Sequence, residues 1–183
     1  DGVSRLNGQV VLKGKTNADR DFSIDLNGDI STLIPSEYQQ FFGSKTAIKA
    51  NGQRSPTGAI VLSDLDLKTG ALSLQGALSL DAKSWPKRIA VSGEIGLPGD
   101  APIILPFSNA TTSVSGATLN IAYDANVSDD LNAQINVANF ASSLLAVKDI
   151  RLHANGALAD TLESVKKVQA DITFASAGLD FTD

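Results

Sequence analysis

Two short runs in this chain of 183 residues look like parts of a catalytic apparatus. Lys68-Thr-Gly70 and Ser84-Trp-Pro-Lys87 match the Lys-Thr-Gly and Ser-x-x-Lys elements of serine β-lactamase chemistry, in which a lysine helps to activate a serine nucleophile. Their order is reversed, because the nucleophile should come first. Ser84 also precedes a proline-containing link instead of opening a helix, and no Ser-Asp-Asn follows. Asp64-Leu-Asp-Leu-Lys-Thr-Gly70 begins like a calcium loop, but Lys68 stands where a third oxygen ligand belongs and the glycine is displaced. It reads as a strand and a turn. His153 is the single histidine and alternates with Arg151 and Asn155, which places it on the polar face of a predicted strand. Without a second histidine it reads as a solvated side chain, not a base or a metal ligand. Asp129-Asp130 reads as a solvated turn. Asn109-Ala-Thr111 and Asn126-Val-Ser128 fit the glycosylation sequon, which is frequent by chance. The chain has no cysteine, which excludes disulfides, thiol nucleophiles and Fe–S clusters. There is no Gly-x-Gly-x-x-Gly and no phosphate loop. The expectation is a non-enzymatic protein without a metal or cofactor.

Composition narrows the classes further. Hydrophobic residues are 43% and charged residues 19%, enough apolar matter to fold and too little charge for a disordered tail. The net charge of −5 lacks the lysine and arginine clusters that neutralise phosphates, so nucleic acid is not an expected partner. With no methionine, the chain is expected to be an interior piece of a longer protein. The longest apolar runs, such as Ile103-Ile-Leu-Pro-Phe107, fall far short of the roughly 20 residues of a spanning helix. Any membrane tether is therefore expected outside residues 1–183, which read as a single segment.

The elements that position these residues are read from a period of two. In Leu72-Ser-Leu-Gln-Gly-Ala-Leu-Ser-Leu80, Leu72, Leu74, Leu78 and Leu80 share one face while Ser73, Gln75 and Ser79 take the other, the pattern of a half-buried strand. Val91 and Ile95 repeat it against Ser92 and Glu94. Leu26 and Ile30, Leu119 and Ile121, and Ile135 and Val137 repeat it again. These twelve residues are the candidate lining of an apolar face. About ten to twelve strands are predicted on this basis. Short polar links, among them Asn17–Asp21, Lys83–Lys87, Pro98–Pro102 and Ser128–Asp130, favour antiparallel neighbours. The phase slips at Ser63-Asp64, which reads as a bulge or a turn. A recurrent unit places a glycine in mid-strand on the apolar face: Gly8, Gly28, Gly52, Gly76, Gly93 and Gly156. Such a glycine marks a bend or a close backbone approach. Two outcomes stay open: strands bent at a common level to make a trough, or glycines beneath bulky neighbours in a sandwich core. One short helix is predicted over about residues 31–43. Pro35 suits its first turn and Gly43 its end, while Leu33, Ile34, Tyr38, Phe41 and Phe42 form a greasy face that plugs one mouth of the sheet. Asp160-Thr-Leu-Glu163 could open a second, shorter helix.

The same pieces, taken in order, carry a family resemblance. They are Asp29-Ile-Ser-Thr-Leu-Ile-Pro-Ser-Glu-Tyr-Gln-Gln-Phe-Phe-Gly43, Ala50-Asn-Gly52, Thr57-Gly-Ala-Ile-Val-Leu62, the run Leu72 to Leu80 and Val91-Ser-Gly-Glu-Ile95. Ile103-Ile-Leu-Pro-Phe107, Ala117-Thr-Leu-Asn-Ile-Ala-Tyr-Asp124 and Ala177-Gly-Leu-Asp-Phe-Thr-Asp183 complete the series. Together they resemble the TamB family, the inner-membrane subunits of translocation and assembly modules, in the AsmA-like superfamily. The resemblance covers most of the chain and brings no catalytic residue. It implies an elongated, bent, mostly antiparallel sheet of the β-taco kind with a hydrophobic groove. It implies a periplasmic place within an inner-membrane-anchored protein of the Gram-negative envelope. The implied work is phospholipid transport between inner and outer membrane and assembly of outer-membrane proteins. The implied partners are phospholipid acyl chains and a TamA-like outer-membrane protein of the Omp85 type.

The residue pattern agrees with that expectation. About eleven strands roughly 4.8 Å apart would make about 50 Å of groove. A uniform apolar wall takes up an acyl chain at about 0.8 kcal/mol per methylene without a deep trap along the way. Two alternatives use the same pattern: a protein-binding or chaperone-like module offering sheet edges to client strands, and a structural β-sandwich with no ligand.

Overall fold

A computed structural model describes residues 5–106, 112–158 and 179–180. Eleven strands form one sheet: β1 (Arg5–Gly14), β2 (Arg20–Asp29), β3 (Thr46–Arg54), β4 (Ile60–Lys68), β5 (Leu72–Leu80), β6 (Pro86–Ile95), β7 (Ile103–Ile104), β8 (Ser113–Asp124), β9 (Ser128–Ala141), β10 (Ala146–Ala157) and β11 (Leu179–Asp180). The spatial order is β1-β2-β3-β4-β5-β6-β8-β9-β10-β11, with β7 beside β8. Every pairing is antiparallel. The sheet is open, and no second sheet lies over it among the described residues, so the sandwich expectation, which needs two facing sheets, is not met.

Register makes the alternation two-dimensional. Val10, Ile24, Ala50, Leu65, Gly76, Val91, Ile121, Ala133 and Ala154 are successive cross-strand partners from β1 to β10. A flanking rung runs from Gly8 through Leu26, Ile48 and Leu67 to Leu74 and Gly93, then through Leu119 and Ile135 to Leu152. A one-residue slip anywhere would turn a strand's apolar set to the other face. The slip expected at Ser63-Asp64 is a β-bulge that carries one extra residue, so Leu62 and Leu65 keep the same face despite their odd spacing. The Ser63 hydroxyl donates to the Asn51 carbonyl at 3.0 Å and satisfies the bulge.

The connections fall on two margins of the sheet. On one, β1–β2, β3–β4 and β5–β6 are joined by matching tight loops. In each, the residue before the loop donates its N–H to the carbonyl four residues on (Lys15 to Asp19 at 2.8 Å, Ser55 to Ala59 at 2.9 Å, Asp81 to Trp85 at 2.9 Å). In each, the last loop residue has a left-handed φ: Ala18 at 64°, Gly58 at 98° and Ser84 at 63°. This is the three-residue hairpin loop whose last residue suits glycine. The other margin carries the two long insertions, residues 30–45 between β2 and β3 and residues 96–112 between β6 and β8.

The predicted short helix over about 31–43 is present at 36–42, and its greasy face is corrected at Leu33. The segment is two 3-10 turns, Ser31–Leu33 and Ser36–Tyr38, followed by a single α-turn, α1 (Gln39–Phe42). Pro35 divides it, because the residue before a proline is pushed out of the helical region, and Ile34 is extended with ψ 137°. Leu33 is consequently 72% exposed and no part of a greasy face. The plug survives in smaller form. Phe41, Ala71 and Ile103 are buried together, with Phe42, Leu72, Ile95, Leu97 and Leu105 packed against them. Asp129 and Asp130 are also corrected. They belong to β9, not to a turn, since Asp130 pairs with Ala157 and Asp129 accepts the Leu158 N–H at 2.8 Å. The possible helix at Asp160 lies outside the described residues.

Candidate functional site

Eleven of the twelve candidate lining residues stand on the strands that the alternation assigns, and cross-strand pairing joins them. Leu72 pairs with Ile95, Val91 with Ile121 and Leu119 with Ile135. Leu78 lies between Leu62 and Ile89, and Leu80 between Ile60 and Pro86. Leu26 lies between Gly8 and Ile48, and Val137 between Ala117 and Ile150. Leu74 lies between Leu67 and Gly93, and Ile135 continues to Leu152. Ile30 is displaced: β2 ends at Asp29, and Ile30 opens the first 3-10 turn. All twelve are half-buried. A second layer over this face would bury them fully, so the apolar surface is open among the described residues. The polar partners follow on the opposite face, Ser73 with Glu94, Gln75 with Ser92 and Ser79 with Arg88.

The mid-strand glycines crease this surface. A methyl group added at Gly76 would run into the Ala90 carbonyl oxygen and stand 2.9 Å from the Val91 Cα. In an unbent pair, opposite Cβ atoms stand about 4.5–5.5 Å apart, so here the neighbouring strand folds over the glycine on the apolar side. At Gly52 the same methyl would meet the Phe22 ring and lie 2.5 Å from the Val61 carbonyl oxygen. Gly93 repeats this against Leu74 and Ser73, and Gly8 and Gly28 against carbonyls across the β1–β2 pair. Bulky residues face Gly52, Gly76 and Gly93 from both neighbouring strands. Concavity and bulky partner are thus one device.

One margin of the trough is capped. The Phe41 carbonyl accepts the Thr69 hydroxyl at 2.8 Å and the Ala71 N–H at 3.0 Å, and the Phe42 carbonyl accepts the Gly70 N–H at 2.8 Å. These bonds fasten α1 to the β4–β5 turn, where Phe41 and Ile103 cover the ends of Leu72 and Ile95. The run Lys68-Thr-Gly70 is therefore a docking turn. The other margin has no such cap among the described residues. There Ser84 occupies the left-handed position of its hairpin loop. Asp81 Oδ1 accepts the N–H groups of Trp85 at 2.9 Å and Lys83 at 2.8 Å. These bonds, Trp85's first, hold the Asp81 carboxyl below its ordinary range, aided by the nearby Lys87 and Lys83 charges.

Two residues on this margin escaped the strand-by-strand reading. Arg20 precedes Phe22 by two and Arg54 follows Gly52 by two, so both occupy paired positions of the apolar face, and they are direct cross-strand partners. Period-two counting continued past the apolar residues would have found them.

The polar face is wetted. Ser73, Gln75, Ser92, Glu94, Thr118, Asn120, Gln134 and Asn136, together with Gly93 and Leu119, line a shallow hollow of about 420 Å³ on it. Asn132 donates to Asn155 at 2.9 Å and lies 3.5 Å from His153 Nε2, which agrees with the solvated reading of the histidine. Among the described residues no group of three or more acidic or histidine side chains could hold a metal, and no helix is long and apolar enough to cross a membrane. Comparison of the chain with family models, with curated proteins and with solved structures finds no match.

Proposed function

We propose that the chain is a lipid-conducting trough of the TamB kind. In this reading it works in the periplasm as part of an inner-membrane-anchored protein. It passes phospholipid between the two membranes and supports outer-membrane protein assembly beside a TamA-like partner. The observation that carries the lipid part is the set of apolar rungs, in register across the sheet and covered by no second sheet among the described residues. The pairing from β1 to β10 gives the surface a length of about 40 Å at roughly 4.8 Å per strand. An acyl chain lying along a rung leaves water at about 0.8 kcal/mol per methylene and meets Leu, Ile, Val, Ala or Gly at every step. The chemistry is transfer without covalent change, so no residue acts as acid, base or nucleophile.

Photo-crosslinking side chains at Leu74 and Leu78 should capture phospholipid, and those at Gln75 and Ser79 should not. Equal capture on both faces would sink the assignment. The chaperone-like reading has one observation of its own: β1 has a single neighbour among the described residues, and its Leu6, Val10 and Leu12 are 54%, 59% and 73% exposed. Crosslinkers along β1 that captured peptide while those on β5 captured no lipid would favour that reading.

A further inference from the structure

We propose that Arg20 and Arg54 form a phosphate clamp that holds the headgroup of an anionic phospholipid at the uncapped lip of the trough. The inference rests on the trough reading above. From β1 to β6 every paired position of the apolar face is uncharged except these two. They are direct cross-strand partners at the end of β2 and β3, both exposed. Like charges placed opposite one another on a sheet repel. No carboxylate among the described residues pairs with either: the ion pairs on this side of the sheet are Lys15 with Asp21 at 2.8 Å and Arg88 with Asp124 at 3.8 Å. Of the two acids that flank Arg20 in sequence, Asp21 is the one held by Lys15, and Asp19 is bonded to Gln53 at 3.0 Å and to Asn17 at 2.6 Å. Two arginines at directly paired positions can turn their guanidinium forks to one phosphate, which accepts bidentate hydrogen bonds.

The next rung inward identifies the source of that phosphate. Leu12, Phe22, Gly52 and Leu62 follow immediately behind the arginines. An anion with an apolar tail satisfies the arginines and this rung together, whereas a free phosphate would use the arginines alone. At the opposite margin Phe41 and Ile103 cover the ends of Leu72 and Ile95, whereas no such cap stands over the arginine lip among the described residues. The lipid therefore has its phosphate on the lip and its chains on the apolar rungs behind it.

The test uses the purified chain and three probes: phosphatidylglycerol with a fluorescent acyl chain, diacylglycerol with the same chain, and inorganic phosphate. In the double variant R20Q/R54Q, phosphatidylglycerol affinity should fall at least about tenfold and lose its salt dependence, because charge-assisted bonds to phosphate are gone. Diacylglycerol affinity should stay within about twofold, since the apolar rungs are intact. R20K/R54K should recover part of the loss, keeping charge without the fork. Lys49→Gln, on the polar face, should change neither. The melting temperature of R20Q/R54Q should hold or rise, because a repulsion is removed. Unchanged phosphatidylglycerol binding, or equal loss for both lipids, would overturn the clamp while leaving the trough. Full competition by inorganic phosphate would also overturn it in favour of a soluble-anion site. Failure of the unaltered chain to bind either lipid would overturn the trough and the clamp together.

Discussion

Gly76 shows how much one missing methyl group decides. Its neighbours on both sides are bulky, Leu65 and Val91, and the Ala90 carbonyl occupies the space where a Cβ would stand. Alanine there must push β5 and β6 apart, at a cost of about 1–3 kcal/mol for an overpacked site. Gly14 is the control. A Cβ there meets nothing within 4 Å and φ is not left-handed, so Gly14→Ala should be neutral or stabilise by about 0.4–1 kcal/mol. Chemical denaturation of the two variants checks this. Equal stabilities would remove the crease. The motif-like residues teach the complementary lesson. Thr69 and Ser84 resemble catalytic groups in one dimension, yet their places are a docking turn and a hairpin loop.

The segment between β2 and β3 is held more by hydrogen bonds than by helical propensity, since its α-turn has four residues. Thr69 is its main fastener. The hydroxyl donates to the Phe41 carbonyl and accepts the Leu72 N–H at 2.9 Å. Thr69→Val keeps the shape and removes both bonds; the Phe41 carbonyl keeps the Ala71 N–H, while the part-buried Leu72 N–H loses its acceptor, at about 1–3 kcal/mol. The expected outcome is faster proteolysis between residues 31 and 45 while strand content by circular dichroism is kept. Loss of the strands as well would mean that the cap is integral to the sheet. The segmentation at Pro35 was open to sequence reasoning, because the pre-proline restriction on Ile34 is local. The partner of Phe41 was not, since Ile103 lies 62 residues further along the chain and meets it only through the β7–β8 pairing.

An open trough and a closed core respond differently to a charge. Leu78 is half-buried on the central strand β5. Leu78→Asp should fold, because the carboxylate can reach water along the open face, and should impair acyl-chain binding. In a sealed interior the same change would bury an unpaired charge and cost several kcal/mol. Ser79→Asp, one residue along on the polar face and opposite Arg88, should stay within about 0.5 kcal/mol of the parent and leave binding unchanged. Thermal melting read beside lipid binding separates the cases. Global unfolding of Leu78→Asp would favour a closed interior, and unimpaired binding by a folded Leu78→Asp would remove this stretch from the lipid path.

The order of residue types was enough for the all-β class, the antiparallel neighbours, the assignment of Leu72 and Leu74 against Ser73 and Gln75, and the phase slip at Ser63-Asp64, though not for its being a bulge instead of a turn. These follow from the strict period of a strand and the reach of a short link, which are local properties. Whether the apolar faces of different strands would meet one another or stay open was not contained in that order. Alternation states which face is apolar and is silent on what lies above it. That was decided by the register, which lines the rungs up across the sheet, and by the close approach of strands at glycine, which bends them toward one side. The meeting of Arg20 with Arg54 was decided in the same way. Each arginine is an ordinary strand end by itself. Only the antiparallel pairing of β2 with β3 sets two positive charges opposite each other on a face that is otherwise uncharged from β1 to β6.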